Sequence, residues 1–362
     1  MSAHHRSAMG DALAMVAPGR PLREGLDRIL LAKRGALVVV GDDPAVLSIC
    51  SGGFLLDAEF SPQRISELAK MDGAIILAAD ASRIARANVH LVPKASIPTT
   101  ETGTRHRTAE RVARSIDVPV VSVSAAMSVI AVYRNDRKHT LQPIGWLVDR
   151  ADRALATLQR FRSRFDVAVS QLSSLEVEDT VSVGDVVGVL QSAEMVARIA
   201  EEVAGYLVEL GDDGRLVRLQ LAELTDGVAA TLRLVIRDYM GRPTGGMDRI
   251  TAVERAVAAL SELTSDELID SRRVAEVLSL SAMQADPQAG VEPRGYRLLS
   301  RLPRFSDAII ERIVDRFTNL QQIMRASLSE LEQVEGVGTA KARSVKDGLS
   351  RLAEANILER YQ

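Results

Sequence analysis

Lys70-Met-Asp-Gly-Ala74 sets an acidic residue and a glycine directly before the apolar run Ala74-Ile-Ile-Leu-Ala78, which reads as a strand. Asp72 therefore stands at a strand edge, and Gly73 stands where a ligand can approach the backbone without meeting a Cβ. Farther along, Gly103-Thr-Arg-His-Arg-Thr108 opens a stretch whose Ala109, Val112, Ala113 and Ile116 share one helical face. Arg105, His106 and Arg107, the hydroxyls of Thr104 and Thr108, and the unpaired N–H groups of a helix start are what a triphosphate requires. No Gly-x-x-x-x-Gly-Lys-Ser/Thr loop is present, which argues against a P-loop motor.

A different chemistry is written near the C-terminus. Ser329 to Arg343 reads as a short helix, a Gly336-Val-Gly338 turn and a second helix whose Ala342, Val345, Leu349 and Leu352 face a core, a helix-hairpin-helix. Two glycines permit positive φ and let backbone N–H groups reach a phosphate, while the second helix presents its positive dipole end to the same anion. Lys341 and Arg343 follow at once, so Gly336, Gly338, Lys341 and Arg343 are the candidate DNA contacts, reading backbone rather than bases. Residues 294–362 hold 12 Lys and Arg against 9 Asp and Glu, although the whole chain has a net charge of -3. Arg294, Arg297, Arg301 and Arg304 precede a helix carrying Ile309, Ile313 and Phe317, which reads as a degenerate first copy of the motif. Tandem copies would grip two strands.

These groups need elements to hold them. Ala36–Val40, Val46–Cys50, Ala74–Ala78, Val118–Ser124 and Val129–Tyr133 are the strand candidates, with Gly41-Asp-Asp-Pro44 as a turn joining the first two into an antiparallel hairpin. Helical stretches alternate with them, so the N-terminal part is expected to be an α/β domain with a mixed sheet. From Asp149 to about Met240 the spacing is helical: Val196, Ile199, Val203, Tyr206 and Leu210, then Leu221, Leu224, Val228, Leu232, Val235 and Tyr239. Breaks at Gly241–Gly246 and from Ser281 to Pro293 set off a last module. The expected organisation is a nucleotide domain over 1–148, an all-α spine over 149–290 and the helix-hairpin-helix domain over 291–362.

With 362 residues, two or three domains are expected. A single cysteine, Cys50, excludes an internal disulfide and a four-thiolate zinc site, and suits a reducing compartment. No apolar run approaches a membrane span and no secretory leader is visible, so a cytoplasmic protein without membrane contact is expected. Trp146, Cys50 and Met127 read as packing residues, and His4, His5, His90 and His139 as structural or surface ones.

Asp72-Gly73-Ala74 and Arg105-His106-Arg107, in this order and with this domain sequence after them, resemble the two motifs of the diadenylate cyclase family; the resemblance spans essentially the whole chain. It implies condensation of two ATP into the second messenger cyclic di-AMP with release of two pyrophosphates, and a homo-oligomer, an octamer, in which cyclase heads meet. It implies that Asp72, Gly73, Ala74, Arg105, His106 and Arg107 are catalytic and that Asp72 holds Mg²⁺ or Mn²⁺. Gly73 and Leu91 would contact the nucleoside, Thr104 to Thr108 the phosphates, and Ser124 a further phosphate oxygen. Coupling to branched or damaged DNA, and hence a place in DNA repair, completes the expectation. The rival reading takes Lys70-Met-Asp-Gly73 as the Lys-x-Asp-Gly box of covalent nucleotidyltransferases such as DNA ligases, with Lys70 forming lysyl-AMP. Against it, that box continues to an arginine where this chain has Ile75, and a helix-like Ser61–Lys70 leads into it.

Overall fold

The computed structural model describes residues 3–241, 247–279 and 286–359, with side chains for 8–241, 247–279 and 286–351. The chain divides into two units, one of residues 1–153 with 202–220, the other of 154–201 with 221–362.

The first unit is built on eight strands: β1 (Ala36–Val40), β2 (Cys50–Ser51), β3 (Phe54–Glu59), β4 (Ala74–Leu77), β5 (Arg83–Leu91), β6 (Val120–Ser124), β7 (Val129–Arg134) and β8 (Arg137–Thr140). They form one sheet in the order β2-β5-β4-β1-β6-β7-β8, with β3 also paired to β5. β1 and β4 run parallel and the other pairings are antiparallel, so the sheet is mixed as expected. Period-two alternation divides β1 between two cores. Ala36, Val38 and Val40 join α1 (Ala3–Met15), α2 (Pro21–Leu31) and α4 (Pro62–Leu68) on one face. Leu37 and Val39 join Ala109, Val112 and Ala113 of α5 (Thr104–Ser115) on the other.

One expected strand is absent. Residues 44–48 form a helical turn, α3 (Pro44–Ser48), because Asp43 caps it by accepting from Val46 N at 2.9 Å and Pro44 supplies a preset first position. The expected hairpin with β1 therefore does not form, and Cys50–Ser51 pairs with β5 instead. Trp146 is 43% exposed beneath the Arg150 guanidinium and Met127 is 59% exposed, so neither is a core residue.

Two long helices follow, α6 (Ile144–Glu178) and α7 (Val183–Leu210), then a 3-10 turn over Gly211–Gly214, α8 (Arg215–Thr225) and α9 (Val228–Tyr239). The periodic run from Leu221 to Tyr239 is two helices, because Gly227 takes a left-handed φ of 71° between them. Next come α10 (Arg249–Glu262), α11 (Ser265–Ile269), α12 (Ser271–Val277), α13 (Tyr296–Ser300), α14 (Asp307–Phe317), α15 (Leu320–Arg325), α16 (Leu328–Glu332) and α17 (Thr339–Glu359). The expected break at Gly241–Gly246 falls on 242–246 and the first part of the one from Ser281 to Pro293 on 281–285, outside the described residues, as do the side chains of Leu352, His4 and His5. No helix among the described residues is long and apolar enough to cross a membrane.

The arginines after Glu292 do not share one environment. Arg297 is 1% exposed and ion-paired with buried Glu176, while Asp238 accepts the N–H groups of Gly295, Tyr296 and Arg297 at 2.7–2.9 Å. Arg297 is thus a structural residue of the second unit.

Candidate active site

The helix over Ser61–Lys70 is present: Ser61 caps α4, and Lys70 at its end pairs with Glu67 at 2.6 Å. The chain then turns into β4 through Asp72, whose side chain is 98% exposed, and Gly73. Gly73 is required for a steric reason: a Cβ there would lie within 2.6 Å of Val89 N and collide with the Asn88 backbone. Asn88 itself has a φ of 54° at an irregularity in the β4–β5 register, so β5 bulges under the glycine.

α5 approaches from the other side of this edge. Its N-cap is Gly103, with no capping side chain and no acidic residue in the first turn, so the dipole end and the N–H groups of the first turn are left for a ligand. Arg105 Nη2 meets Asp72 Oδ1 at 2.8 Å, joining groups 33 residues apart in sequence. The guanidinium is laid across Gly35, where a Cβ would come within 2.6 Å of Nη1.

Two cavities share this pair. The smaller, about 300 Å³, sets Leu37, Ala74, Val89 and Leu91 on one wall, with Asn88 and His90 also lining it. The larger, about 610 Å³, is bounded by Gly35, Gly103, His106, Val123 and Ser124. Asp72, Thr104 and Arg105 belong to both; Gly73 and Thr108 line the smaller one. Thr108 Oγ1 donates to Thr104 O at 3.0 Å, and Ser124 Oγ accepts from Met127 N at 3.4 Å.

Two of the sequence candidates are placed differently from their neighbours. Arg107 lies outside the lining of both cavities, exposed, with Nε 3.4 Å from Glu101 O. His106 is 7% exposed, with Nδ1 2.8 Å from Tyr133 Oη. Burial holds its ring below the ordinary histidine range, against the pull of the Glu101 charge. Gly35, Asn88, Glu101 and Tyr133 were not among the sequence candidates. Gly35, directly before β1, offered a signal; Tyr133 read only as a strand end.

The donor set can be tested against a divalent cation. Among the described residues no group of three His, Cys, Asp or Glu forms a closed cage. An open carboxylate on the wall of both cavities fits Mg²⁺ or Mn²⁺, which keep waters and share substrate phosphates.

In the second unit, α16 and α17 are joined by a turn in which Gly336 has a φ of 85°, Gly338 has open space where a Cβ would stand, and Lys341 Nζ donates to Gly336 O at 3.0 Å. The segment between α13 and α14 repeats this geometry: Arg304 has a φ of 68° where Gly336 has its own positive φ. Ile309 N and Ile310 N bond Ser306 O as Lys341 N and Ala342 N bond Gly338 O. Ile310 and Ile313 are buried as Ala342 and Val345 are.

Comparison with known proteins adds the family. Residues 23–138 match the description "DisA bacterial checkpoint controller nucleotide-binding", and residues 141–286 match "DisA bacterial checkpoint controller linker region". The chain is 50% identical over 351 residues to the DNA integrity scanning protein DisA of Kineococcus radiotolerans, covering 96% of each chain. The chain belongs to the DisA family. Two further relatives of the same name agree: that of Acidothermus cellulolyticus is 51% identical, covering 96% of this chain and 94% of the relative, and that of Streptomyces griseus 50%, covering 99% and 95%. As a member of the DisA family, with its nucleotide-binding domain over 23–138, the chain is a diadenylate cyclase.

Proposed function

We propose that the Asp72–Arg105 edge is one half of a site that condenses two ATP molecules, and that a second copy of the chain supplies the other half. Each ATP 3'-hydroxyl attacks the α-phosphorus of the other; a new P–O bond forms, the α–β bridging bond breaks, pyrophosphate leaves, and the hydroxyl proton passes to solvent. Two turnovers of this step close the ring and release two pyrophosphates, so two sites must face one another. An octamer of paired heads meets that requirement.

The observation that carries this reading is the contact of Asp72 with Arg105 on the wall shared by two adjoining cavities. The smaller cavity, where Leu37, Val89 and Leu91 stand beside Gly73, takes the adenine and ribose. Arg105, Thr104 and the start of α5, with Ser124 opposite, take the phosphates and bind pyrophosphate more tightly as charge develops on it. Arg107 and Thr108 add to this field from the same helix. Mg²⁺ or Mn²⁺, when bound at Asp72, lowers the pKa of the attacking hydroxyl. Asp72 orients it, and Arg105 must leave Asp72 to meet phosphate.

The two positive-φ turns of the second unit are tandem helix-hairpin-helix motifs that bind the phosphate backbone of DNA. Gly336, Gly338, Lys341 and Arg343 form one grip and the turn at Arg304 the other, and two grips suit the diverging arms of branched or damaged DNA. Such binding lowers cyclase rate by disturbing the facing heads on which in-line attack depends. The domain limits 1–148, 149–290 and 291–362 follow these three tasks, carried out in the cytoplasm.

Incubation with ATP and Mg²⁺ or Mn²⁺, followed by mass spectrometry, tests the reading. Cyclic di-AMP is expected and should diminish on addition of a four-way junction. An AMP adduct on Lys70 would establish the ligase-like chemistry instead.

A further inference from the structure

Behind the first turn of α5 runs a chain of polar side chains that the roles above leave unused. His106 Nδ1 is 2.8 Å from Tyr133 Oη, Tyr133 Oη is 3.0 Å from Glu101 Oε1, and Lys138 Nζ is 2.6 Å from the same oxygen. Four elements contribute: α5, β7, the segment before α5, and β8. The direction of the chain is settled by the donor inventory. A carboxylate only accepts, and Glu101, which burial alone would push up, is held below the usual range by Lys138 and Tyr133. The Tyr133 proton therefore goes to Glu101, and the Oη lone pairs are left for His106. Nδ1 must carry the hydrogen, and in the neutral ring Nε2 is then a bare acceptor.

A bare Nε2 cannot donate to a phosphate oxygen, so His106 does not act on the phosphates as Arg105 does. Its surroundings show what it does instead. The Cδ2 edge of the ring lies 3.3 Å from where a Cβ on Gly103 would stand, directly beneath the N-cap of α5. Gly103, beside which the ring sits, lines the larger cavity together with Thr104 and Arg105 of the same turn.

We propose that Tyr133 and Glu101 are positioning residues of the cyclase: through the chain Nδ1–H to Oη, and Oη–H to Oε1, they lock the His106 ring in one tautomer and orientation and so fix the Gly103–Arg105 turn against the transferring phosphates. The inference rests on the assignment of that turn to the phosphates. The hydroxyl is separable from the packing, because the Tyr133 ring already belongs to the core cluster with Ala109, Val112 and Ala131. Phenylalanine keeps that packing and removes only the chain.

The test is steady-state cyclic di-AMP synthesis by Tyr133→Phe, Glu101→Gln and Glu101→Ala, beside wild type. Tyr133→Phe is expected to lose about 10- to 100-fold in kcat, the scale of a small misplacement, with the KM for ATP changed less than about threefold. Glu101→Gln keeps an acceptor oxygen for the tyrosine and should retain kcat within about threefold, while Glu101→Ala should fall with Tyr133→Phe. Wild-type kcat in Tyr133→Phe, a loss confined to KM, or equal damage from Gln and Ala at position 101 would each overturn the inference alone. Should Tyr133→Phe fail to fold, the Glu101 pair decides it. Wild-type protein that makes no cyclic di-AMP overturns the site assignment and the inference with it.

Discussion

Asp72 and Arg105 meet at 2.8 Å with the carboxylate 98% exposed, whereas Glu176 and Arg297 meet with side chains 1% and 2% exposed. The residue types are alike and the physics is opposite. In water an ion pair gains little and is cheaply broken, which is what a site needs if its carboxylate must pass to a cation and its guanidinium to a phosphate. In the second unit burial pushes Glu176 up and Asp238 to about 7, and Arg297 is the charge that keeps Glu176 tolerable there. Tyr239 Oη completes the cluster by donating to Glu176 at 2.7 Å. Exposure therefore separates a pair available for chemistry from one that holds helices together.

The sharpest way to break this contrast is to neutralise the exposed carboxylate. Asp72→Asn should lower cyclic di-AMP synthesis by about a thousandfold or more, the scale of a missing cation partner, while leaving the urea midpoint where it is. A folded Asp72→Asn protein with substantial synthesis would refute the role. The converse experiment is Arg297→Ala, which leaves Glu176 buried without its cation. Unfolding free energy should fall by about 3–5 kcal/mol, read from denaturant titration. A loss under about 1 kcal/mol would mean that the buried pair does not hold the unit together.

A smaller effect is expected on the surface of the same unit. Lys341→Glu should weaken junction binding and lower the slope of log affinity against log salt by about one unit for each phosphate no longer neutralised. An unchanged slope would remove Lys341 from the DNA surface. Smallest is a pH effect from His106, whose folded pKa lies below that of the unfolded chain. As pH falls through about 6.5 the unfolded chain takes up the proton first, so this contribution to stability is present above that pH and is lost as pH drops toward the folded value. The groups around the ring that set this balance are Glu101, Lys138, Arg105 and Tyr133. The change in urea midpoint between pH 7.5 and 5.5 should be smaller in His106→Gln than in wild type; an equal change would place the titration elsewhere.

Much of the candidate site is legible in the sequence, because its signals are local. Asp72-Gly73 before β4 and a glycine-led start for α5 are short-range patterns, and β1, β4, β6 and β7 are short apolar runs. β5 was missed because polar Arg83, Arg86, Asn88 and His90 interrupt Ile84, Ala87, Val89 and Leu91, and the bulge at Asn88 breaks the alternation. Val46–Cys50 misled because its apolar content outweighed the Asp43-Pro44 helix start. Arg297 read as one member of a basic run, since its partner Glu176 lies 121 residues away. Tyr133 was invisible as a positioning group for the same reason: its acceptor Glu101 and its donor His106 come from other elements, and no spacing rule joins them.

The central claim is that one of these exposed sites is incomplete without a second. Mixing wild type with an excess of Asp72→Asn subunits, under conditions that allow exchange, and measuring cyclic di-AMP per wild-type chain tests it most directly. Activity per wild-type chain is expected to fall as the variant is added, because wild-type sites become paired with sites that cannot complete the ring. Activity that stays constant per wild-type chain across the whole mixing range would show that each chain acts alone and would contradict that claim.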